Sequence, residues 1–127
     1  MKTTKAIREY IKTYVSNAYK PLIKERRGDY NERRDAVWKA ICEYEDEVNQ
    51  HIRKIIQSYN LDFDDTETFC SFDISGVGLK EAINIDREVR DIREEEDKIV
   101  QKILLGIDFG ELKNYDDVYE ALKELCP

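Results

Sequence analysis

The chain has 127 residues, 41% apolar and 39% charged, with a formal net charge of −7. That length suits one domain, residues 1–127, with enough chain to bury a core, and only two Pro and five Gly argue against a many-turned β fold. No apolar run approaches a membrane span, and three Cys without metal-ligand spacing point to free thiols.

The first helix is expected to start at Thr3 or Thr4, either a suitable N-cap. Ala6, Ile7, Tyr10, Ile11, Tyr14, Val15 and Ala18 follow at helical spacing. Pro21 predicts a kink or a fresh turn. Arg26-Arg27-Gly28 reads as a helix end, with cations at the negative dipole end and Gly beyond it. Asp29 with Glu32 three residues on has capping-box spacing. The pattern therefore predicts an antiparallel hairpin turning at Gly28. The second helix, 30–59, carries Val37, Ile41, Tyr44, Val48, Ile52, Ile55 and Tyr59, a stripe that should face a core. Asn60 can close it.

Residues 61–78 contain no Lys or Arg but hold Asp62, Asp64, Asp65, Glu67 and Asp73, with Phe63, Phe69 and Phe72 interleaved. Cys70, Phe72 and Ile74 alternate with polar residues, so a two-strand ribbon with Ile107 and Phe109 is one option and a packed extended loop the other. Ser75 or Gly78 should open a third helix, with Ile85, Val89, Ile92, Glu96, Ile99 and Ile103 as its seam and Gly106 as its stop. Asn114, with Asp117 at the third position, should start a short last helix carrying Val118, Tyr119, Leu122 and Leu125. The expected fold class is an all-α bundle of three long helices plus a short C-terminal helix, with the ribbon as an addition.

Charge is unevenly placed. Residues 1–34 hold ten Lys/Arg against four acids, and the rest hold 11 against 24. Lys20, Lys24, Arg26, Arg27, Arg33 and Arg34 should gather at the expected hairpin turn, although an isoelectric point near 4.9 weighs against a nucleic-acid-binding module. Glu96 is a carboxylate in an apolar seam. In an antiparallel arrangement it lies level with Cys42, near Tyr44; in a parallel one, level with Glu47, near His51. A helix rotated there would leave it in water.

No catalytic or cofactor motif stands out. His51 has Val48 where a diiron bundle needs Glu, and Thr66 and Glu67 break the Asp62/Asp64 run as a calcium loop. Glu43, Asp46 and Glu47 on one helix face, with Glu88 and Asp91 on another, could together hold Mg²⁺ through oxygen. That arrangement resembles the all-α nucleoside triphosphate pyrophosphatases, which present Glu-x-x-Glu and Glu-x-x-Asp pairs across a bundle. This chain has no Glu-x-x-Glu in the first segment.

The acids of 62–73 and the run Glu94, Glu95, Glu96 and Asp97 support a different expectation. Carboxylates at that density can imitate a phosphate backbone and occupy a groove built for nucleic acid. In size and charge the chain is similar to the small acidic proteins of phages and mobile elements that inhibit CRISPR, restriction or repair enzymes. The expected partner is a basic surface of a nucleic-acid-binding protein, met by Asp62, Asp64, Asp65, Glu67, Asp73, Glu94, Glu95 and Asp97. No enzyme activity, cofactor, metal or membrane is expected. The start Met1-Lys2-Thr3-Thr4-Lys5 lacks an apolar signal core, so a cytoplasmic location is expected. A toxin-neutralising immunity protein, or an assembly subunit that forms a homo-oligomer, fits the same composition.

Overall fold

The computed structural model describes all residues, 1–127. It contains three helices and no strand: α1 Lys5–Ser58, α2 Leu79–Asp108 and α3 Tyr115–Leu125. Two compact units divide the chain. One comprises Met1–Gly28 with Ile83–Pro127, the other Asp29–Ala82.

The expected hairpin at Gly28 does not form; α1 runs through it without a break. An interior glycine costs a helix only about 1 kcal/mol, and side chains before and after it find partners. Ile23 is buried and Arg26 meets Glu88 at 3.0 Å. Beyond Gly28, Arg33 bonds Asp29 one turn back and Glu81. Pro21 lies inside α1, where its missing N–H leaves the carbonyl of Asn17 without its usual donor. The six basic residues expected at a turn are thus strung along a helix, and Arg26, Arg33 and Arg34 are already engaged within the chain.

In the first unit Thr4 caps α1, its hydroxyl accepting from the Ile7 amide at 3.3 Å. Ile7, Ile11 and Val15 pack with Ile99, Val100, Ile103, Leu104 and Ile107 of α2 and Val118 and Leu122 of α3. The α2 seam is buried as the spacing predicts, Glu96 included, except that Ile92 is only half-buried. Gly106 does not stop α2. The helix ends in a Schellman turn at Gly110 (φ 75°), with Glu111 N–H on the Gly106 carbonyl at 2.9 Å and Gly110 N–H on the Ile107 carbonyl at 3.1 Å. Gly106 instead makes room for Leu112, whose Cδ1 would lie 3.0 Å from an added Cβ. Ile107 is therefore helical, and no ribbon forms with residues 70–74. Asn114 caps α3 as expected, accepting from the Asp117 amide at 2.9 Å, while the Asp117 carboxylate accepts from Lys113 N–H at 2.9 Å. Tyr10, Tyr14, Tyr115 and Tyr119 meet edge-on or tilted between α1 and α3, with centroids 5.9–6.5 Å apart.

The second unit departs further from expectation. Its helical stripe was expected to face a core, yet Asn49 is the only buried residue between 30 and 59. Val37, Tyr44, Ile55 and Tyr59 are 39, 55, 47 and 76% exposed, and Trp38 is 56% exposed. Within this unit the helix is covered only by the extended connector 59–78, which shields one side of it. Asn60 does close α1, at φ 59°. Leu61 N–H reaches the Ile56 carbonyl at 3.3 Å and Asn60 N–H the Gln57 carbonyl at 3.0 Å, a second Schellman turn.

Candidate functional site

The connector 59–78 is an extended strap held by one face of α1. Tyr30 Oη donates to the Gly78 carbonyl and Arg34 Nη1 to the Val77 carbonyl, both at 3.0 Å. Glu45 Oε1 accepts from Phe72 N–H at 2.7 Å. Asn49 Oδ1 accepts from Phe69 N–H at 3.1 Å and Cys70 N–H at 2.7 Å, and its Nδ2 donates to the Cys70 carbonyl at 3.0 Å. Arg53 Nη2 donates to the Glu67 carbonyl at 3.0 Å. As helix numbers rise, strap numbers fall, so the two run antiparallel.

This accounts for the strand-like alternation without a strand. Ile74 is buried and Cys70 half-buried, whereas Phe72, between them in the alternation, is 46% exposed. The strap's backbone groups pair with helix side chains four residues apart instead of with a neighbouring strand. Gly78 is required twice over: its φ is 74°, and an added Cβ would lie 3.0 Å from Tyr30 Oη. Aromatic contacts complete the fastening. Phe63 meets Phe69 edge-on at 6.0 Å, Arg53 lies 5.9 Å from the Phe63 ring, and Phe72 stacks on Tyr44 at 6.0 Å.

The acids expected to meet a partner fall into three roles. Asp64 and Asp73 cap turns of the strap. Asp64 Oδ1 accepts from Thr66 N–H at 3.0 Å and Thr66 Oγ1 at 2.8 Å; Asp73 Oδ1 accepts from Ser75 N–H at 2.9 Å. These bonds to the ionised form hold both carboxyls below the usual aspartate range. Asp62, Asp65 and Glu67 are exposed, and their carboxylates form no hydrogen bond or ion pair within the chain. Glu94, Glu95 and Asp97 are exposed on α2 in the other compact unit, so the two acidic clusters are separate features.

Glu96 is buried, 8% exposed, rather than solvated. Its neighbours are neither Tyr44 nor His51. It shares an open cleft of about 600 Å³ with Lys12, Val15, Ser16, Arg93 and Asp97. Arg93 Nη1 lies 3.4 Å from Oε2, and Oε1 has no partner. Burial, with Glu95 and Glu96 nearby, pushes the Tyr19 hydroxyl above its ordinary pKa. Cys126 is half-buried against the core, and burial pushes its thiol up.

Of the five acids that could have held Mg²⁺, Glu43, Asp46 and Glu47 belong to one compact unit and Glu88 and Asp91 to the other. No group of three or more His, Cys, Asp or Glu comes together in a metal-holding arrangement, and Glu88 is paired with Arg26. No helix is long and apolar enough to cross a membrane. The residue that sequence reasoning missed is Asn49. The available signal was an amide at position 49 between Glu45 and Arg53, a polar row four residues apart beside the apolar stripe. No protein-family model matches the chain, and no curated protein or solved structure matches it.

Proposed function

We propose that this chain is a non-catalytic binding protein whose acidic strap covers a basic, nucleic-acid-binding surface of a partner protein. An inhibitor carried by a phage or mobile element against a defence nuclease, a CRISPR effector among them, is the reading that suits it best. The supporting observation is the strap itself. Asp62, Asp65 and Glu67 expose unpaired carboxylates on a strap whose backbone is fastened to α1 at Glu67, Cys70 and Gly78. Fixing the charges before binding reduces the ordering cost of association, and a run of fixed carboxylates competes for the Lys/Arg contacts that phosphates make. Asp64 and Asp73 serve this surface indirectly, by holding the turns. Glu94, Glu95 and Asp97 would add a second acidic contact. Three free thiols suit a reducing cytosol.

The experiment is affinity capture from a bacterial cytosol, with and without nuclease and across a salt series. The expected result is a basic nucleic-acid-binding protein that added duplex DNA or RNA displaces. Reversing Asp62, Asp65 and Glu67 to Lys should abolish its capture with helix content unchanged. Capture of nucleic acid alone, or of a protein indifferent to the three reversals, would overturn the reading.

A further inference from the structure

The second half of α1 keeps a largely exposed flank, which the strap meets where Phe72 stacks on Tyr44. At 100° per residue, Val37, Tyr44, Val48 and Ile55 lie within about 40° of one line along the helix. Arg34, Glu45, Asn49 and Arg53, which hold the strap, lie further around on one side. On the other side of the line the surface is open, and Val37, Tyr44 and Ile55 are 39, 55 and 47% exposed. The spacing of 7, 4 and 7 residues is that of a coiled-coil seam without its second helix.

We propose that this seam is covered by the same seam of a second copy of the chain, running antiparallel about a two-fold axis. The choice of occupant and direction rests on the charges along the open flank. Glu47 and Lys54 are seven residues apart and so hold the same position of the heptad. In an antiparallel pair, flank positions of the same kind face each other. Glu47 of each copy then meets Lys54 of the other, giving two symmetric ion pairs. The same register sets Tyr44 beside Ile55 of the second copy at both ends of the contact, and Val48 beside His51 at its middle. A parallel pair would instead set Glu47 and Lys54 against Ile52 and Tyr59 of the second copy, with no ion pair on that flank. A two-fold contact is self-complementary in the way this pattern requires.

The contact is small. The seam from Val37 to Tyr59 is roughly 33 Å long and about 10 Å wide, which sets it below the standard size for stable complexes. The association is therefore concentration-dependent, in the micromolar range. It does not rest on the acidic-strap reading, because it uses none of the strap's carboxylates.

Sedimentation velocity from about 5 to 500 μM, a range that brackets micromolar dissociation constants, tests it on the full chain. The mass should rise from 15.1 kDa toward twice that value. Ile55→Glu should hold the chain monomeric with its circular dichroism unchanged, since the side chain is half in water already. Lys54→Glu should weaken association roughly tenfold by turning two attractions into repulsions. Adding Glu47→Lys to it should restore association. A monomer at every concentration, which would leave the seam to an unrelated protein, overturns the proposal. So does a dimer indifferent to Ile55→Glu, or a charge swap that fails to rescue.

Discussion

Asn49 is the residue on which the strap depends most. Its amide is buried and makes three hydrogen bonds to two consecutive strap residues, satisfying Phe69 N–H, Cys70 N–H and the Cys70 carbonyl. Asn49→Ala removes all three partners at once. At about 1 kcal/mol for each bond, and more where a group stays buried without a partner, the closed strap should lose roughly 2–4 kcal/mol. Amide hydrogen exchange reads this directly. The Phe69 and Cys70 amides should exchange roughly 30- to 1,000-fold faster in the variant, while Ile11 and Ile103 in the other compact unit keep their protection. Asn49→Asp retains the acceptor for two amides but loses the donor to the Cys70 carbonyl, so it should fall between. Unchanged exchange at Phe69 and Cys70 in Asn49→Ala would refute the clamp. So would wild-type amides that already exchange at free-peptide rates.

Two further outcomes follow from the carboxylates. Because the folded values of Asp64 and Asp73 lie below 3.8, their turns contribute stability that is complete above that pH. It is lost as pH falls through the lower folded values. Carboxyl-carbon titration by NMR should give midpoints below 3.8 for both, and a midpoint at or above it removes the turn-capping role. Glu96 has one buried oxygen without a partner, and a buried charge so poorly paired is replaceable by an apolar side chain of similar volume. Glu96→Met should raise stability to urea by about 1 kcal/mol; a loss of that size would show that both oxygens are satisfied.

The features legible in the sequence are those set by neighbours in the chain. The Asn114 cap, the left-handed Asn60 and the α2 seam each depend on residues within a few positions, and the spacing alone locates them. What was not legible depends on competition between distant groups. Arg26-Arg27-Gly28-Asp29 has every local mark of a turn, but Glu88 and Glu81 take up Arg26 and Arg33 and the helix continues. Once it continues, the stripe of 37–59 has no helix over it: a strap lies along one side while Val37, Tyr44, Ile55 and Tyr59 stay exposed, and periodicity cannot tell such a stripe from a buried one. The alternation at 70–74 marks an extended segment, but of its three apolar residues only Ile74 is buried and Phe72 stays exposed. It says nothing of what pairs with the backbone, and here side chains of α1 do. The candidate acids were legible as a cluster, whereas their separation into turn caps and free carboxylates required the hydrogen bonds.

The account turns on α1 running through Gly28, because only then does the second half of the helix carry a strap on one flank and an open seam on the other. Gly28→Ala tests this by its sign. In a helix interior, where an added Cβ meets nothing within 4 Å, alanine should stabilise the chain by about 0.5–1 kcal/mol in urea unfolding. If the chain turned there with glycine in the left-handed conformation, the same change would destabilise it by about 1 kcal/mol or more, and the continuous helix would be contradicted.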